Sequence, residues 1–534
     1  MSGLLNLSTY SSKHPKPSGV VYSYGTAGFR TKANILGSTI FRVGLLASLR
    51  SQYLGSQVIG VMITASHNPA PDNGVKLIDP QGEMLESSWE AYATTLANAS
   101  SDDEIEAIYN DLVKTLNIDT SLTANVIYGR DSRESGPALV ESLQDGLKVT
   151  RANGTDYGLV TTPILHYIVR SLNTLNSPNA YGTPTEEGYY KKLGDAYQRV
   201  LSGYNKSYSI TIDAANGVGG PKVKELAKHL GGLVDITVVN DHYLEPSLLN
   251  QDCGADHVKT QQRLPANVEP VPGKLYASFD GDADRIVFFF LDKESQFRLL
   301  DGDKIATLAA SFLGDLVKQS GTDLNIGVVQ TAYANGSSTS YLTNTLKVPV
   351  ECTATGVKHL HHAAQHFDIG VYFEANGHGT VLFDPQAVST LKNFKVSSPA
   401  QSSAIESLLA LSDLINQTVG DALSDLLFVL AILTIQDLTP SDWDSSYTDL
   451  PNRLSKVEVK DRTIFKTTDA ERRLTSPPEL QNKIDSLVQK FSQGRSFVRA
   501  SGTENVVRVY AEATSRIQAD ELALKVSHLL ETYQ

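Results

Sequence analysis

Residues 275–279 and 286–291 are two apolar runs of strand length, and between them stands Asp280-Gly281-Asp282-Ala283-Asp284-Arg285. Three carboxylates at alternate positions cannot continue a buried strand, and Gly281 and Ala283 offer no core of their own. The chain must therefore turn here, and the two small residues let the backbone curl until the carboxylate oxygens converge. Hard oxygen ligands of this kind suit Mg²⁺ or Ca²⁺. A calcium-binding helix-loop-helix fails at two positions, because it needs glycine where Arg285 stands and glutamate where Leu291 stands. A phosphatase with Asp280 as nucleophile usually has Thr or Val where Asp284 stands. A solvated acidic turn is seldom enclosed by two such apolar runs. A metal loop serving phosphate chemistry is the expectation.

At 534 residues the chain exceeds a single core. The formal charge of −13 argues against nucleic acid or an anionic membrane as partner, so a phosphate site must be locally basic. Cys253 and Cys352 form neither a disulfide framework nor a zinc spacing, which suggests a reducing, cytoplasmic setting. The N-terminus, with Lys13, Pro15, Lys16 and Pro17, lacks an apolar run of signal-peptide length. The longest such run, residues 426–433, is too short for a span and reads as a buried helix.

Strand-length apolar runs alternate with helical patterns, which favours α/β layers. Residues 58–63, 209–212 and 326–329 are each followed by a short polar turn: Thr64-Ala65-Ser66-His67-Asn68-Pro69, Asp213-Ala214-Ala215-Asn216-Gly217 and Thr331-Ala332-Tyr333-Ala334-Asn335-Gly336. Their separation of about one domain length suggests three related units. Residues 404–433 look helical, Thr439-Pro440-Ser441-Asp442 and Leu450-Pro451-Asn452 read as linker, and the last helix is expected at 517–530. The expected fold is α/β: three related mixed α/β domains (1–190, 191–300 and 301–445) and a smaller C-terminal α+β domain (446–534) around a central cleft.

Ser66 follows a strand, where α/β sheets present reactive groups, and its polar loop runs on through Asp72-Asn73-Gly74 to Lys76. No Gly-x-Ser-x-Gly surrounds it, so acyl transfer is not indicated. Beside a metal loop, its hydroxyl suits a phosphoryl carrier. Arg499-Ala500-Ser501-Gly502-Thr503-Glu504-Asn505, followed by a strand bearing Arg508, combines hydroxyls, free N–H groups and cations suited to phosphate. Glu374-Ala375-Asn376-Gly377-His378-Gly379 gathers groups that suit sugar hydroxyls and amides. Tyr24-Gly25-Thr26-Ala27-Gly28-Phe29-Arg30 adds a glycine turn ending in a cation.

In their order and approximate spacing the serine loop 64–69, the metal loop 280–285, the sugar loop 374–379 and the phosphate loop 499–505 resemble the α-D-phosphohexomutase superfamily, over essentially the whole chain. Asn376 stands where many members acting on plain hexoses have Ser, which is the pattern of the acetylamino-sugar branch. Gly356-Val357-Lys358 stands where such members have a Gly-His pair, which leaves the general acid or base open. The resemblance implies a phosphorylated Ser66 and one Mg²⁺ per chain, held by that phosphate with Asp280, Asp282 and Asp284. It implies conversion between N-acetylglucosamine 6-phosphate and N-acetylglucosamine 1-phosphate through a 1,6-bisphosphate, on the route to UDP-N-acetylglucosamine. Arg285, Glu374, Ala375, Asn376, Gly377, His378, Arg499, Ala500, Ser501, Gly502, Thr503 and Arg508 are expected to bind substrate. Lys76, with Arg30 and His67 as alternates, is expected to assist proton transfer. The expected partner is a small sugar phosphate, with no nucleic acid or membrane, and the expected state is a monomer or weak homodimer. Phosphoglucomutase or phosphomannomutase activity, a metal-dependent sugar phosphatase and a non-catalytic sugar-phosphate binder are the alternatives.

Overall fold

The computed structural model describes residues 4–204, 206–501 and 506–533. Two compact units divide the chain, Met1–Leu299 with Leu409–Asp437, and Leu300–Leu408 with Leu438–Gln534.

The first unit holds two sheets. One contains β1 (Phe29–Lys32), β2 (Val58–Ile63), β3 (Asp72–Ile78), β4 (Asn125–Arg130) and β5 (Asn153–Leu159) in the order β1-β3-β2-β4-β5. β2, β4 and β5 run parallel, while β3 is antiparallel to both β2 and β1. The other contains β6 (Tyr208–Asp213), β7 (Val234–Val239), β8 (Tyr276–Phe279), β9 (Ile286–Leu291) and β10 (Phe297–Leu300) in the order β10-β9-β8-β6-β7. Here β7, β6 and β8 are parallel and β9 is antiparallel to β8. The apolar run of β9 is buried at every position, as expected of a strand covered on both faces.

The second unit holds a four-stranded sheet of β11 (Ile326–Thr331), β12 (Val350–Thr353), β13 (Ile369–Phe373) and β14 (Gly379–Phe383), ordered β12-β11-β13-β14. β12, β11 and β13 are parallel and β14 is antiparallel. A smaller antiparallel sheet joins β15 (Asn452–Glu458), β18 (Arg495–Ala500) and β19 (Val506–Glu512), beside the two-stranded ribbon of β16 (Lys466–Thr468) and β17 (Arg473–Ser476). The closing helix, Arg516–Leu530, buries Ala519, Leu522, Ala523 and Val526.

Three sheets thus share a core of three parallel strands and one antiparallel strand. In the second and third sheets the chain lays down the central strand, then the parallel edge, then the hairpin of the remaining two. In the first sheet it lays down that hairpin, β2–β3, before the centre β4 and the edge β5, so the unit is circularly permuted. This corrects the matching of turns made on sequence. The turns after β6 and β11 correspond to the one after β4, beginning at Asp131. The Ser66 loop corresponds instead to the β8–β9 and β13–β14 loops, which hold the three aspartates and Glu374–His378. A strand followed by a polar turn reads the same wherever the strand lies in its sheet, so the linear pattern could not reveal the permutation.

Two other expectations change. Residues 404–433 are two helices, Pro399–Leu414 and Ala422–Ile435, separated by a turn in which Asp421 caps the second through the N–H groups of Leu423 and Ser424. Thr439-Pro440-Ser441-Asp442 opens a short helix, Pro440–Asp444, with a capping box between Thr439 and Asp442. Leu409–Asp437 packs with the first unit, where the Tyr189 hydroxyl donates to Asp421 at 2.7 Å and the Ala422 N–H donates to the Ala283 carbonyl at 3.0 Å.

The apolar helix Ala422–Ile435 carries one buried carboxyl, Asp425, with no hydrogen bond to either oxygen among the described residues. Burial, reinforced by Asp421, raises its pKa well above the ordinary value, so folding protonates it. Its unfolded counterpart ionises above a pH of about 3.9. The stability it contributes therefore falls as pH rises through the window from there up to the raised folded value. Asp425→Ala should remove this slope, giving a Tm advantage over the parent that is larger at pH 8 than at pH 5. Parallel Tm curves for the two proteins would show that Asp425 stays ionised.

Candidate active site

Ser66 and the three aspartates meet within the first unit. The Ser66 hydroxyl, buried at the end of β2, donates to Asp280 Oδ2 at 2.6 Å across the two sheets. The loops are held close by backbone: a Cβ on Gly281 would lie 2.6 Å from the Ser66 carbonyl oxygen, so only glycine fits. Ala283 adopts φ +57°, which supplies the curl expected of this segment. One carboxylate oxygen from each of Asp280, Asp282 and Asp284 lies within 4.8 Å of the others, and all three residues are buried.

Three buried carboxylates repel one another. Burial, then Asp284 and Asp282, pushes the Asp280 carboxyl well above the usual carboxylate range. Cations only partly offset this. Lys76 Nζ lies 3.2 Å from Asp284 Oδ2 and 3.5 Å from Asp282 Oδ2, and Arg285 Nε lies 3.7 Å from Asp280 Oδ2. Asp282 Oδ2 accepts from Thr162 Oγ1 at 2.6 Å, while its buried Oδ1 has no hydrogen bond among the described residues. An all-oxygen donor set with an unsatisfied buried oxygen fits a hard divalent cation.

The flanking groups differ from a simple acid–base set. Burial lowers the Lys76 pKa, but Asp284 and Asp282 outweigh it and leave the ammonium above its ordinary value. The His67 imidazole is pushed down to about 2 by Arg285, by burial and by Arg30, so it is neutral at working pH. Burial and Arg285 lower the Arg30 guanidinium, whose NH1 donates to Asn68 Oδ1 at 3.3 Å. Beside two carboxylates, Lys76 is disposed to hold an anion or to donate a proton.

The other candidates lie in the second unit. Glu374 to His378 form the β13–β14 connection, closed by the Glu374 N–H to the His378 carbonyl and the Gly377 N–H to the Glu374 carbonyl, both at 2.9 Å. Asn376 Oδ1 accepts the His378 N–H at 3.0 Å, and Asn376 Nδ2 lies 3.4 Å from Glu374 Oε2. Glu374, Ala375 and Asn376 are half-buried, and Gly377 and His378 are buried. Gly302 passes so close beneath that a Cβ there would lie 1.8 Å from the Glu374 carbonyl oxygen.

Arg499 and Ala500 belong to β18, one step earlier in regular structure than their reading as loop. Arg499 is paired directly with Arg508 of β19, so both side chains share a face of the sheet. Ser501 is buried and its carbonyl accepts from Arg462 NH1 at 2.8 Å. Gly502 and Thr503 lie outside the described residues.

Five further residues join these sites without a sequence signal of their own. Thr162, at the start of helix Thr162–Thr174, bonds Asp282. Asp131, Arg133 and Asn250 surround the serine loop. Glu471, in the β16–β17 turn at φ +67°, places Oε1 2.8 Å from Arg499 Nε and accepts the Thr355 N–H at 2.9 Å. Only spatial proximity marks them.

Family models match the chain one segment at a time. Residues 48–104 match phosphoglucomutase/phosphomannomutase, alpha/beta/alpha domain I, and 454–529 match the C-terminal domain of that family. Such a fold, with a serine hydroxyl on a buried aspartate cluster, places the chain among the α-D-phosphohexomutases. Residues 179–287 and 301–438 match phosphoacetylglucosamine mutase AMG1, domains II and III. The phosphoacetylglucosamine mutase of Candida albicans is 56% identical over 98% of this chain and 99% of its own. A solved N-acetylglucosamine-phosphate mutase in its substrate complex is 56% identical, with a TM-score of 0.95 over 98% of this chain and 99% of that one. The Aspergillus fumigatus N-acetylphosphoglucosamine mutase, solved with GlcNAc-6P and magnesium, is 54% identical with a TM-score of 0.95 over 99% of both chains. The chain belongs to the phosphoacetylglucosamine mutase family.

Proposed function

We propose that Ser66 is the phosphoryl carrier of a mutase that interconverts N-acetylglucosamine 6-phosphate and N-acetylglucosamine 1-phosphate. The activity follows from membership of the family, and the observation that carries the assignment of Ser66 is its 2.6 Å hydrogen bond to Asp280. Phospho-Ser66 gives its phosphoryl group to the free hydroxyl of the sugar monophosphate: the new O–P bond forms, the Ser66 Oγ–P bond breaks, and the sugar hydroxyl proton passes, in net terms, to Oγ. The resulting 1,6-bisphosphate turns over and returns its other phosphate to Ser66. Lys76, with Arg30 and His67 as alternates, assists that proton transfer, and Lys76 and Arg30 also neutralise the transferring phosphate, since phosphoryl transfer depends on positioning and charge neutralisation. Asp280, Asp282 and Asp284, with the Ser66 phosphate, would hold one Mg²⁺, which when bound draws negative charge from that group.

Arg285, Arg499, Ala500, Ser501, Gly502, Thr503 and Arg508 bind the sugar phosphate, the Arg499–Arg508 pair taking the group that is not transferred. A phosphate arriving there must share Arg499 with Glu471. Glu374 orients the sugar hydroxyls, and Asn376, with Ala375, Gly377 and His378, receives the acetamido group. Domain boundaries at 190, 300 and 445, a cytoplasmic location and a monomeric or weakly dimeric state complete the reading, with a place on the route to UDP-N-acetylglucosamine. Among the described residues no helix is long and apolar enough to cross a membrane.

The test is kcat/KM on N-acetylglucosamine 6-phosphate and on glucose 6-phosphate, with a trace of sugar 1,6-bisphosphate, in the parent and in Asn376→Ser. The parent should prefer the acetylated sugar, and Asn376→Ser should reduce that preference on the order of tenfold, because a site that pairs a substrate amide disfavours analogues lacking it. An unchanged ratio would place selectivity in another loop. No turnover of either sugar by the parent would remove the mutase reading itself.

A further inference from the structure

Ser66 lies in the left-handed region, at φ +53°, where a residue with a Cβ is strained by about 1–2 kcal/mol. Such a conformation persists only where its surroundings over-determine it. The surroundings here are dominated by one buried guanidinium. Arg133 spends all five N–H groups on this region: Nε on Asp131 Oδ2 at 3.0 Å, NH1 on the carbonyls of Pro69 at 2.7 Å and Asp72 at 2.8 Å, and NH2 on those of Ser66 and Asn68, both at 2.9 Å. Asp131 also accepts from Thr64 Oγ1 at 2.7 Å, and Thr64 Oγ1 accepts the Ser66 N–H at 2.9 Å. From the connection between β7 and β8, Asn250 Nδ2 reaches the carbonyls of Ser66 at 3.0 Å and Asn68 at 3.2 Å.

We propose that Arg133, assisted by Asn250, is a positioning residue that fixes the direction of the Ser66 hydroxyl toward the aspartate cluster. Four of its five hydrogen bonds end on carbonyls of the loop, and none reaches the Ser66 side chain, so it acts through the backbone. The donors of the planar fork keep fixed directions, so it sets the loop's shape as a flexible ammonium would not. Asn250 ties the same two carbonyls to the half of the unit that carries Asp280. The clamp therefore sets where Oγ stands relative to the metal loop. It rests on Ser66 being the phosphoryl carrier.

Arg133→Lys keeps the charge and loses the fork, while Asn250→Ala, at a half-buried position, leaves the interior of the sheets untouched. Each variant and the parent would be incubated with sugar 1,6-bisphosphate, weighed intact for phosphate on Ser66, and assayed for kcat and KM at saturating Mg²⁺. A misplaced nucleophile costs rate and not ground-state affinity. We expect kcat to fall about tenfold in Asn250→Ala and on the order of 10²-fold in Arg133→Lys, with KM changed less than about twofold. A parent that carries phosphate on Ser66, with a variant kcat that is unchanged while only Tm falls, would overturn the clamp and leave Ser66 in place. A parent that never acquires phosphate on Ser66 would remove the carrier itself. If Arg133→Lys fails to fold, Asn250→Ala decides.

Discussion

Ser66→Ala should lower mutase turnover by about 10⁴-fold or more while the protein remains folded, because it removes the hydroxyl held on Asp280, and the other described hydroxyl on the cluster, that of Thr162, is bonded to Asp282 instead. Alanine and serine carry the same Cβ at φ +53°, so the backbone is strained equally in both. Among the described residues the hydroxyl's one hydrogen bond is to Asp280, whose Oδ1 still accepts the N–H groups of Asp284 and Arg285 at 3.1 and 3.2 Å. Intact mass before and after phosphatase treatment should show one removable phosphate on the parent and none on the variant. Near-parental turnover in the variant, at any concentration of sugar bisphosphate, would end the phosphoserine mechanism.

Asp282→Asn should raise the Mg²⁺ concentration needed for half-maximal activity on the order of 10²-fold and lower kcat at saturation. It removes one hard anionic ligand from a set of three, and affinity in such sites follows ligand charge. The same change leaves Lys76 with a single carboxylate, Asp284, and converts the acceptor of the Thr162 hydroxyl into an amide. Mg²⁺ titrations of Asp280→Asn, Asp282→Asn and Asp284→Asn check this. Three curves superposable on the parent's would refute the assignment.

Much of the candidate site was legible because its residues sit in short contiguous loops with distinctive chemistry. Alternating aspartates separated by glycine and alanine can hardly be core or ordinary turn, and their convergence was readable from the need to curl. The ends of β2 and β9 were equally legible, since β-branched and aromatic runs bounded by polar turns mark strands directly, whereas β11 runs past the apolar run 326–329 to Thr331, which reads by composition as turn. The pairing of Arg499 with Arg508 was less so, because sharing a face depends on cross-strand register that only the β18–β19 pairing supplies. The break at residues 415–421 was missed because apolar helical patterns on both sides masked an N-cap at Asp421.

The local chemistry, then, was determined by the sequence alone: a serine after a strand, three carboxylates in one turn, and polar loops suited to sugar and phosphate. Tertiary structure decided what those groups face. It brought Ser66 to Asp280 across 214 positions, surrounded the serine loop with Arg133 and Asn250, and set Glu471 against Arg499. It also showed that the hairpins carrying Ser66, the three aspartates and Glu374–His378 occupy equivalent places in their sheets, although the first sheet is permuted. The physical reason is common to all of these. A hydrogen bond or ion pair between distant segments is fixed by the packing of whole sheets, and one side chain carries no mark of which far partner that packing will bring. The shifted pKa values have the same origin: His67 is driven down and Lys76 held up by neighbours that only the fold assembles.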